Sequence, residues 1–333
     1  MKRIIPGLRI AMVALVAAMA LPLSASGETI ASGLQGASGS TIGPDGALYV
    51  TEGAIGRISR IDRKTGQVTT CAEGLPPSLI GIGGAVDLVF VKKNAYVLVT
   101  LVGFPFGGDV DGIYRIDGPN SHTVVADLGA FSAANPPDTS FELPQGLFYA
   151  MEDYFGGFLV TDGHHNRVLF ATKNGDVREF AQFDNIVPTG LDTKGLTVFM
   201  AQAGALPHAP EDGKIVAFWP RSPVVVDLAA GAPLLVDVEL GRGFSMFGLA
   251  QGEFGGGDPG APAKAGSGSL VKANKCGGFD VIEEELNLPT SLEIVGDTAY
   301  IVTLTGDVLK FRNISGRKNG KHWWKNKHSC RWY

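Results

Sequence analysis

The sequence is poor in charge and in helical periodicity, and it lacks familiar catalytic motifs. Only 18% of its 333 residues are charged, which argues against a disordered chain that coats nucleic acid. Its 46 glycines and 19 prolines exclude a coiled coil or a long helical bundle. There is no G-x-S-x-G, no H-E-x-x-H and no phosphate-binding loop. The composition therefore indicates a fold rich in turns and leaves the molecular activity open.

Cysteine is also scarce. Cys71, Cys276 and Cys330 are far apart and share no C-x-x-C spacing, so a zinc site has no support. An oxidising compartment would permit a disulfide bond between Cys71 and Cys276. Buried, unpaired cysteines are an equally good interpretation, and the sequence leaves both open.

The N-terminal segment has the layout of a secretory signal. Three basic residues lie before position 10, residues 10–23 are almost wholly apolar, and small residues follow up to Gly27. The apolar run is shorter than the roughly 20 residues that a membrane-spanning helix needs, and no later segment is long and apolar enough to span a bilayer. We therefore predict a cleaved signal peptide over 1–27, a secreted or periplasmic location, and no stable membrane insertion after cleavage.

The net charge bears on the class of partner. The formal charge of −5 becomes −8 without the three basic residues of the signal. Without the six basic residues of 316–333 as well, the body over 28–315 stands at −14. A body this acidic is not expected to coat DNA or anionic lipid. We predict no nucleic acid partner, and instead a small molecule or an extracellular partner.

The strongest signal is a strand pattern that recurs six times. Segments rich in β-formers, often ending at Gly, Leu or Pro, are 28–34, 68–76, 123–129, 177–183, 224–233 and 280–289. Segments with alternating apolar residues are 56–62, 111–117, 165–171, 212–219, 267–274 and 305–312. Between them lie pairs of strands joined by a tight turn, most clearly in 39–53, 190–204 and 291–306. Four short strands per unit with period-2 alternation are typical of a six-bladed β-propeller.

The order of these segments predicts how the ring closes. After Ser291 only enough strand-forming sequence remains for three strands, whereas 28–34 is a spare strand of the fourth type. Pairing the two leaves no blade with an unpaired edge. We therefore predict an all-β, six-bladed propeller over 28–315, with four antiparallel strands per blade and the last blade completed by the N-terminal strand.

Long insertions fall on one face of the predicted ring. Strands alternate in direction within a blade, so second-to-third and fourth-to-first connections share a face, here named the upper face. It receives the insertions 101–110, 131–144, 204–212 and 251–266, while the turns of the opposite, lower face are mostly short. Loops on a rigid scaffold commonly carry binding residues. The sequence thus predicts that a partner binds at the upper face.

Two sets of side chains are candidates for that site. The ligand-binding candidates in the upper loops are His164, His165, His208, Phe104, Phe106, Asp109, Glu211 and Asp212. The candidates for the mouth of the central channel are Asp87, Asp237, Glu52, Gln202 and Gln251. Histidine and carboxylate together could bind a transition metal, or contact a polar or aromatic ligand. Asp162, Asn166 and Arg167 also have the order typical of a device that locks neighbouring blades.

Several segments resemble the ScyD/ScyE family, exported proteins named for gene clusters that make the pigment scytonemin. They are GPDGALYVTEG (43–53), GRISRID (56–62), TDGHHNRV (161–168), VPTGL (187–191), AQAGALPHAPEDGKI (201–215) and PTSLEIVGDTAYIVTLTG (289–306). The resemblance covers roughly residues 28–312 and implies an exported six-bladed propeller, with no established catalytic residues to carry over. More broadly, the repeats resemble NHL and gluconolactonase-type (SMP-30-like) propellers.

The broader resemblance implies an alternative function, a hydrolase with a divalent, calcium-like metal ion in the channel. Gluconolactonase-type propellers hold the metal through Glu and Asn side chains, often in P-N-G turns. The matching turns here read PQG (144–146), PTG (188–190) and PTS (289–291). Gln and Thr are poor substitutes, because hard divalent ions favour several convergent carboxylate and carbonyl oxygens. We therefore favour a binding or accessory protein over an enzyme and assign no cofactor or metal ligand.

The last 18 residues depart from the repeat. The segment HWWKNKHSCRWY has three tryptophans, and no strand pattern is visible in 316–333. This basic tail could be a disordered appendage, a surface that contacts a partner, or the product of an altered reading frame. The sequence leaves these alternatives open.

Overall fold

A computed structural model describes residues 27–137, 145–222, 224–257 and 260–315. The predicted signal, apart from Gly27, and the tail 316–333 lie outside the described residues. The described chain forms six antiparallel sheets of four strands each. The sheets succeed one another around a ring, so the molecule is a six-bladed β-propeller and the predicted fold is confirmed.

The first half of the chain forms the N-terminal strand and three blades. The N-terminal strand is β1 (Glu28–Ala31). Blade 1 contains β2 (Ala37–Ile42), β3 (Leu48–Glu52), β4 (Arg57–Ile61) and β5 (Val68–Ala72). Blade 2 contains β6 (Gly84–Val91), β7 (Asn94–Thr100), β8 (Gly112–Gly118) and β9 (Ser121–Asp127). Blade 3 contains β10 (Phe148–Tyr154), β11 (Gly157–Asp162), β12 (Arg167–Thr172) and β13 (Val177–Gln182).

The second half forms the remaining blades. Blade 4 contains β14 (Pro188–Lys194), β15 (Thr197–Gln202), β16 (Lys214–Phe218) and β17 (Val225–Ala230). Blade 5 contains β18 (Leu235–Leu240), β19 (Met246–Ala250), β20 (Gly268–Ala273) and β21 (Phe279–Leu286). Blade 6 contains β22 (Pro289–Val295), β23 (Thr298–Thr303), β24 (Val308–Arg312) and, as its outer strand, β1.

The N-terminal strand closes the ring as predicted. Strand β1 pairs antiparallel with β24, and the backbone N–H of Leu34 donates to the carbonyl of Gly306 at 3.1 Å. The inner strands of blades 6 and 1 are joined at Ser291, whose Oγ lies 2.8 Å from Oγ of Ser40. Every blade therefore has a neighbour on both sides, and no outer strand of blade 6 is missing.

Alternating apolar residues explain why these segments form blades. Alternate side chains along a strand are apolar and face the neighbouring blade. They form six buried clusters, one at each interface between blades. The cluster between blades 6 and 1 contains Leu34, Leu48, Tyr300 and Val308. The hydrophobic core is thus distributed around the ring and leaves a polar channel at its centre.

One α-helix was not expected from the sequence. Helix α1 (Leu128–Ala134) lies in the connection between blades 2 and 3, and Asp127 caps it by accepting a hydrogen bond from the N–H of Ala130 at 2.7 Å. Three single-turn 3₁₀ helices cover Gly53–Ile55, Pro210–Asp212 and Arg242–Phe244. Within the described residues, no helix is long and apolar enough to cross a membrane.

The two faces of the ring differ as expected. The described parts of the long insertions lie in second-to-third or fourth-to-first connections, and therefore at the upper face.

The two described cysteines differ in state: Cys276 is disulfide-bonded, whereas Cys71 is free and half-buried. The Cys71–Cys276 bond considered from the sequence is therefore not formed.

Candidate functional site

The D-x-x-x-N-R segment locks blade 3 to both of its neighbours. Asn166 accepts hydrogen bonds through Oδ1 from the N–H groups of Ile186 and Val187, both at 2.9 Å, on the way into blade 4. Arg167 is fully buried and donates to the carbonyl of Asn135 at 2.8 Å, beyond helix α1 at the end of blade 2. The structural interpretation of this segment is therefore confirmed.

The two adjacent histidines of this segment have different environments. His165 is buried at 1% exposure, and its Nδ1 lies 2.9 Å from Oδ2 of Asp162. Burial alone would raise the pKa of Asp162, but the hydrogen bond from His165 and the charge of Arg167 hold that pKa below its usual value. His165 is thus part of the lock, which corrects the expectation that it is open to a ligand at a loop tip.

Glu52 also has a different environment from the channel mouth at which it was predicted. Its side chain is completely buried, receives two hydrogen bonds from Arg57 at 2.8 Å, and accepts a third from the N–H of Gln35. Burial would raise the pKa of Glu52, but these donors outweigh it and lower the pKa. Glu52, at the end of β3, therefore joins the start of β4 to the segment before β2. Its carboxylate is engaged inside blade 1 and does not line the channel mouth.

Two glutamines at equivalent strand ends hold the upper loops. The Nε2 of Gln202 donates to the carbonyl of Asp212 at 3.1 Å, so this side chain closes the loop between β15 and β16. Gln251 accepts from the N–H of Ala263 at 2.9 Å and donates to the carbonyl of Pro289 at 3.4 Å. Gln251 also lines the central cavity, so it lies at the channel mouth as predicted.

A large cavity opens at the centre of the upper face. It has a volume of 630 Å³ and continues into a space of 280 Å³, with Leu147, Tyr149, Gln251 and Gly260 lining both. The other residues that line the larger space come from blades 3, 4 and 5 and the 251–266 loop. Beside the polar side chains of His164, Asn166, Asn185, Thr189 and His208 there is a slightly larger number of apolar side chains. They include Val187, Ala203, Leu206, Leu234, Val236 and Ala261. No Asp, Glu, Lys or Arg is among the lining residues described.

His164 and His208 provide polar groups in this cavity. Nδ1 of His164 donates to the carbonyl of Gln145 at 2.9 Å, and Nδ1 of His208 donates to the carbonyl of Gly204 at 2.7 Å. With Nδ1 protonated, the neutral form of each ring presents Nε2 as a hydrogen-bond acceptor. Burial lowers the pKa of His164, which favours its neutral form. These two predicted histidines therefore meet in one cavity, although 44 positions separate them.

The other loop candidates lie elsewhere on the upper face. Phe104 is 89% exposed and lines, with Asp109, a separate cavity of 490 Å³ between blades 2 and 3. Phe106, Glu211 and Asp212 are exposed. The structure thus divides the eight candidates: His164 and His208 share the central cavity, Phe104 and Asp109 share another, and His165 is in the core.

The channel below the cavity is narrow and acidic. Asp87 and Asp237, predicted at the channel mouth, lie in this channel, in a space of 40 Å³ that shares Tyr149 with the lining of the upper cavity. Glu152, Asp192, Glu239 and Glu293 surround the same axis at equivalent positions of blades 3 to 6, where each pairs with the middle of the second strand. These four residues were not among the candidates predicted from the sequence, although an acid recurs on the first strand of each of these blades.

Deep enclosure changes the ionisation of these channel acids. Burial raises the pKa of Asp87 to about 7, and burial together with neighbouring carboxylates raises the pKa of Glu152, Asp237, Glu239 and Glu293 well above their usual values. Each acid retains some surface in the channel, which gives water access. The channel acids therefore keep their protons at a higher pH than exposed carboxyl groups do.

These raised pKa values predict a pH-dependent stability. A carboxyl group with a higher pKa in the folded state contributes stability below its unfolded pKa, near 4, and loses it as the pH rises through the folded value. We expect the thermal unfolding midpoint to fall by several degrees between about pH 5 and 8. The Asp87→Asn variant should flatten this dependence, because the pKa of Asp87 is raised to about 7, and Glu211→Gln, at an exposed upper-face position, should not. A midpoint that rises over this range would contradict the assignment.

The metal implied by the gluconolactonase resemblance does not fit these residues. Oγ1 of Thr189 donates to the carbonyl of Leu235 at 2.8 Å, and Oγ1 of Thr290 donates to the carbonyl of Ser38 at 2.9 Å, so both hydroxyl groups are engaged between blades. Among the described residues, no group of three or more His, Cys, Asp or Glu is placed to hold a metal ion. The upper cavity therefore offers no set of ligands suited to a hard divalent cation.

Comparisons with solved structures agree with the fold. A gluconolactonase from Xanthomonas campestris is 11% identical with a TM-score of 0.59, covering 85% of this chain and 88% of its own. The PQQ-bound aldose sugar dehydrogenase from Streptomyces coelicolor is 16% identical with a TM-score of 0.59, covering 86% and 96%. A third similar structure is virginiamycin B lyase from Staphylococcus aureus, in a catalytically inactive histidine-to-alanine variant with quinupristin. It is 11% identical with a TM-score of 0.53, and the match covers 86% of this chain and 98% of the lyase.

At such identities the likeness shows the fold alone. No family model matches the sequence, and no curated protein matches it. The chain is therefore a six-bladed β-propeller that resembles gluconolactonase-like and NHL-type propellers.

Proposed function

We propose that this protein is an exported binding or accessory protein that captures a small molecule in the upper cavity. The observation that carries this proposal is the composition of the 630 Å³ cavity, whose walls are mainly apolar and whose polar groups include the rings of His164 and His208. Ligand pockets of this size usually combine apolar walls with a few polar groups that fix orientation. A charged ligand would lose its hydration without a counter-charge from the described lining residues. The site thus suits an uncharged ligand with an apolar body and a hydrogen-bond donor.

The sequence supports the finer parts of this proposal. Residues 1–27 have the layout of an export signal, which supports a secreted or periplasmic location. The segments TDGHHNRV (161–168) and AQAGALPHAPEDGKI (201–215), which resemble the ScyD/ScyE family, contain His164 and His208. We therefore propose an accessory role of ScyD/ScyE type, with the ligand held between these two segments.

A propeller hydrolase is the second candidate, because several solved structures with this fold are enzymes. The gluconolactonase and the sugar dehydrogenase are examples, and virginiamycin B lyase loses catalysis in a histidine variant. To distinguish the candidates, purified protein is incubated with a panel of lactones and esters, with and without a chelator. Tight binding without turnover supports the binding protein. Turnover that the chelator abolishes would favour the hydrolase.

A direct test uses 7-hydroxycoumarin, a fluorescent lactone with a phenol donor, in buffer well below the pKa of that phenol so that the ligand is neutral. Loss of one or two hydrogen bonds from the His164→Ala, His208→Ala double variant should weaken its binding about tenfold, measured by fluorescence titration. The matched control is His122→Ala, because His122 lies in the outer strand of blade 2, where its ring meets the ring of Tyr114 edge-on, and it does not line the cavity. Equal affinity of the double variant and the control would contradict the proposed site.

A further inference from the structure

Three adjacent blades each expose a large apolar side chain at the lower face. Phe155, Leu196 and Phe244 lie in the first-to-second turns of blades 3, 4 and 5, and they are 67%, 59% and 65% exposed. Single exposed apolar residues are common on proteins, but a contiguous set of them marks an interaction surface. These three residues define the lower patch.

Contacts between neighbouring turns show that the lower patch is continuous. Oη of Tyr154, beside Phe155, donates to the carbonyl of Leu196 at 3.1 Å. The ammonium group of Lys194 lies 3.8 Å from the ring centre of Phe244. The three turns therefore form one surface along the rim of the ring.

Two positions of the lower patch disfavour phenylalanine on conformational grounds. Phe155 has a φ of 41° and Phe244 a φ of 62°, in the left-handed region that glycine and asparagine adopt more readily. Phenylalanine there is unfavourable both for the backbone and for exposure to water. The Phe155 ring meets the buried Tyr154 edge-on, and the Phe244 ring contacts the ammonium group of Lys194, but both rings stay mostly exposed. We therefore expect a binding partner to provide most of the compensation.

The charges of the connections are segregated between the two faces. In the described part of the chain, the upper connections contain eight Asp or Glu and one Lys or Arg, whereas the lower turns contain eight Lys or Arg and four Asp or Glu. The basic residues of the lower turns include Lys173, Arg221 and Arg242, close to the lower patch. The acidic net charge of the sequence therefore conceals a lower face that attracts anions.

The C-terminal tail begins at this same face. Ser315, the last described residue, donates its N–H to Oδ1 of Asp297 at 2.7 Å, and Asp297 lies in the lower turn of blade 6. Gly296 in that turn lies beside the guanidinium of Arg242. The sequence that follows, residues 316–333, contains six Lys or Arg, three Trp and no acid, and it lies outside the described residues. Tryptophan with basic residues is the composition typical of segments that lie at a lipid–water interface.

We propose that the lower face binds the surface of an anionic phospholipid membrane. The lower patch would enter the boundary between headgroups and acyl chains, while Lys194 and Arg242 would approach the phosphates. The acidic upper connections would be repelled, so the cavity would face away from the membrane. A polyanion without an apolar layer would attract the basic residues but would give no reason for exposed phenylalanines.

Vesicle flotation of residues 28–333 tests this proposal. We expect binding to vesicles of phosphatidylglycerol and phosphatidylcholine, and much weaker binding to phosphatidylcholine alone. The triple variant Phe155→Asn, Leu196→Ser, Phe244→Asn should bind at least about tenfold more weakly, because it removes the apolar anchors and suits the left-handed positions. The matched control is Ile55→Ser, Leu79→Ser, Ile80→Ser, which removes three exposed apolar residues of the upper face.

Tryptophan fluorescence gives a second readout. The sequence has four tryptophans: Trp219 lies in a lower turn, where its Nε1 donates to Thr197, and the other three are in the tail. Binding through the lower face should shift the emission to shorter wavelength and allow quenching by brominated lipid. Equal vesicle binding by the two triple variants would overturn the proposal. Failure to bind vesicles, with or without binding to the polyanion dextran sulfate, would also overturn it.

Discussion

A chain that begins after Leu34 is expected to be strongly destabilised, because blade 6 then loses its outer strand. Strand β24 would be left with an unpaired edge, since the three pairs that join it to β1 are removed. The buried side chains of Ala31 and Leu34 would also leave the cluster between blades 6 and 1. Loss of this burial and pairing should cost about 3–5 kcal/mol in the free energy of unfolding. Calorimetry and light scattering should show a lower unfolding midpoint and aggregation.

Point variants separate closure from a general effect of truncation. Leu34→Ala removes one buried side chain from the closing interface and should cost about 2–4 kcal/mol. Leu304→Ala changes a residue that is 37% exposed in the adjacent upper connection, and it should change the stability by less than about 0.5 kcal/mol. A truncated chain as stable as the longer one would refute ring closure by β1.

Replacement of Arg167 by methionine should cost about 3–5 kcal/mol, because it leaves the buried Asp162 without its guanidinium partner. Nε of Arg167 lies 3.3 Å from Oδ2 of Asp162, and its terminal nitrogens donate to Ser132 and Asn135 near helix α1. The variant therefore also loosens blade 3 from blade 2. Chemical denaturation should show a lower transition midpoint.

A matched surface pair provides the control for this prediction. Arg60 lies 2.6 Å from Asp45, and both side chains are more than a third exposed, so Arg60→Met should be far less destabilising than Arg167→Met. Adding Asp162→Asn to Arg167→Met should recover part of the loss, because the buried charge is then removed as well. If Arg167→Met is no more destabilising than Arg60→Met, the lock does not hold the blades together.

The propeller could be predicted because its contacts within a blade are local. Strands joined by short turns pair with their chain neighbours, so period-2 alternation fixes which side chains face the next blade. The spare N-terminal strand was visible for the same reason, since a count of strand segments is a property of the sequence. Helix α1 was missed because it is a single short segment inside a loop, where seven residues give too little periodicity.

The central site could be predicted only in part. The upper face and the candidates His164, His208 and Gln251 were accessible from insertion lengths and residue types, and they do line the cavity. The apolar walls were missed, because residues such as Leu147 and Leu234 have no marker that separates a cavity wall from a core. They meet only where blades 3, 4 and 5 converge.

The sequence alone determined the blade number, the closing strand and the face that carries the long loops, because each depends on order and spacing along the chain. Tertiary structure decided which of two adjacent histidines is available: His165 turns into the lock with Asp162, whereas His164 lines the cavity. The tertiary structure also decided how charge is distributed over the surface, because the net charge of a sequence does not tell which face carries its acidic and basic residues. Only folding of the blades into a ring separates acidic upper loops from basic lower turns, because that separation depends on strand direction in space.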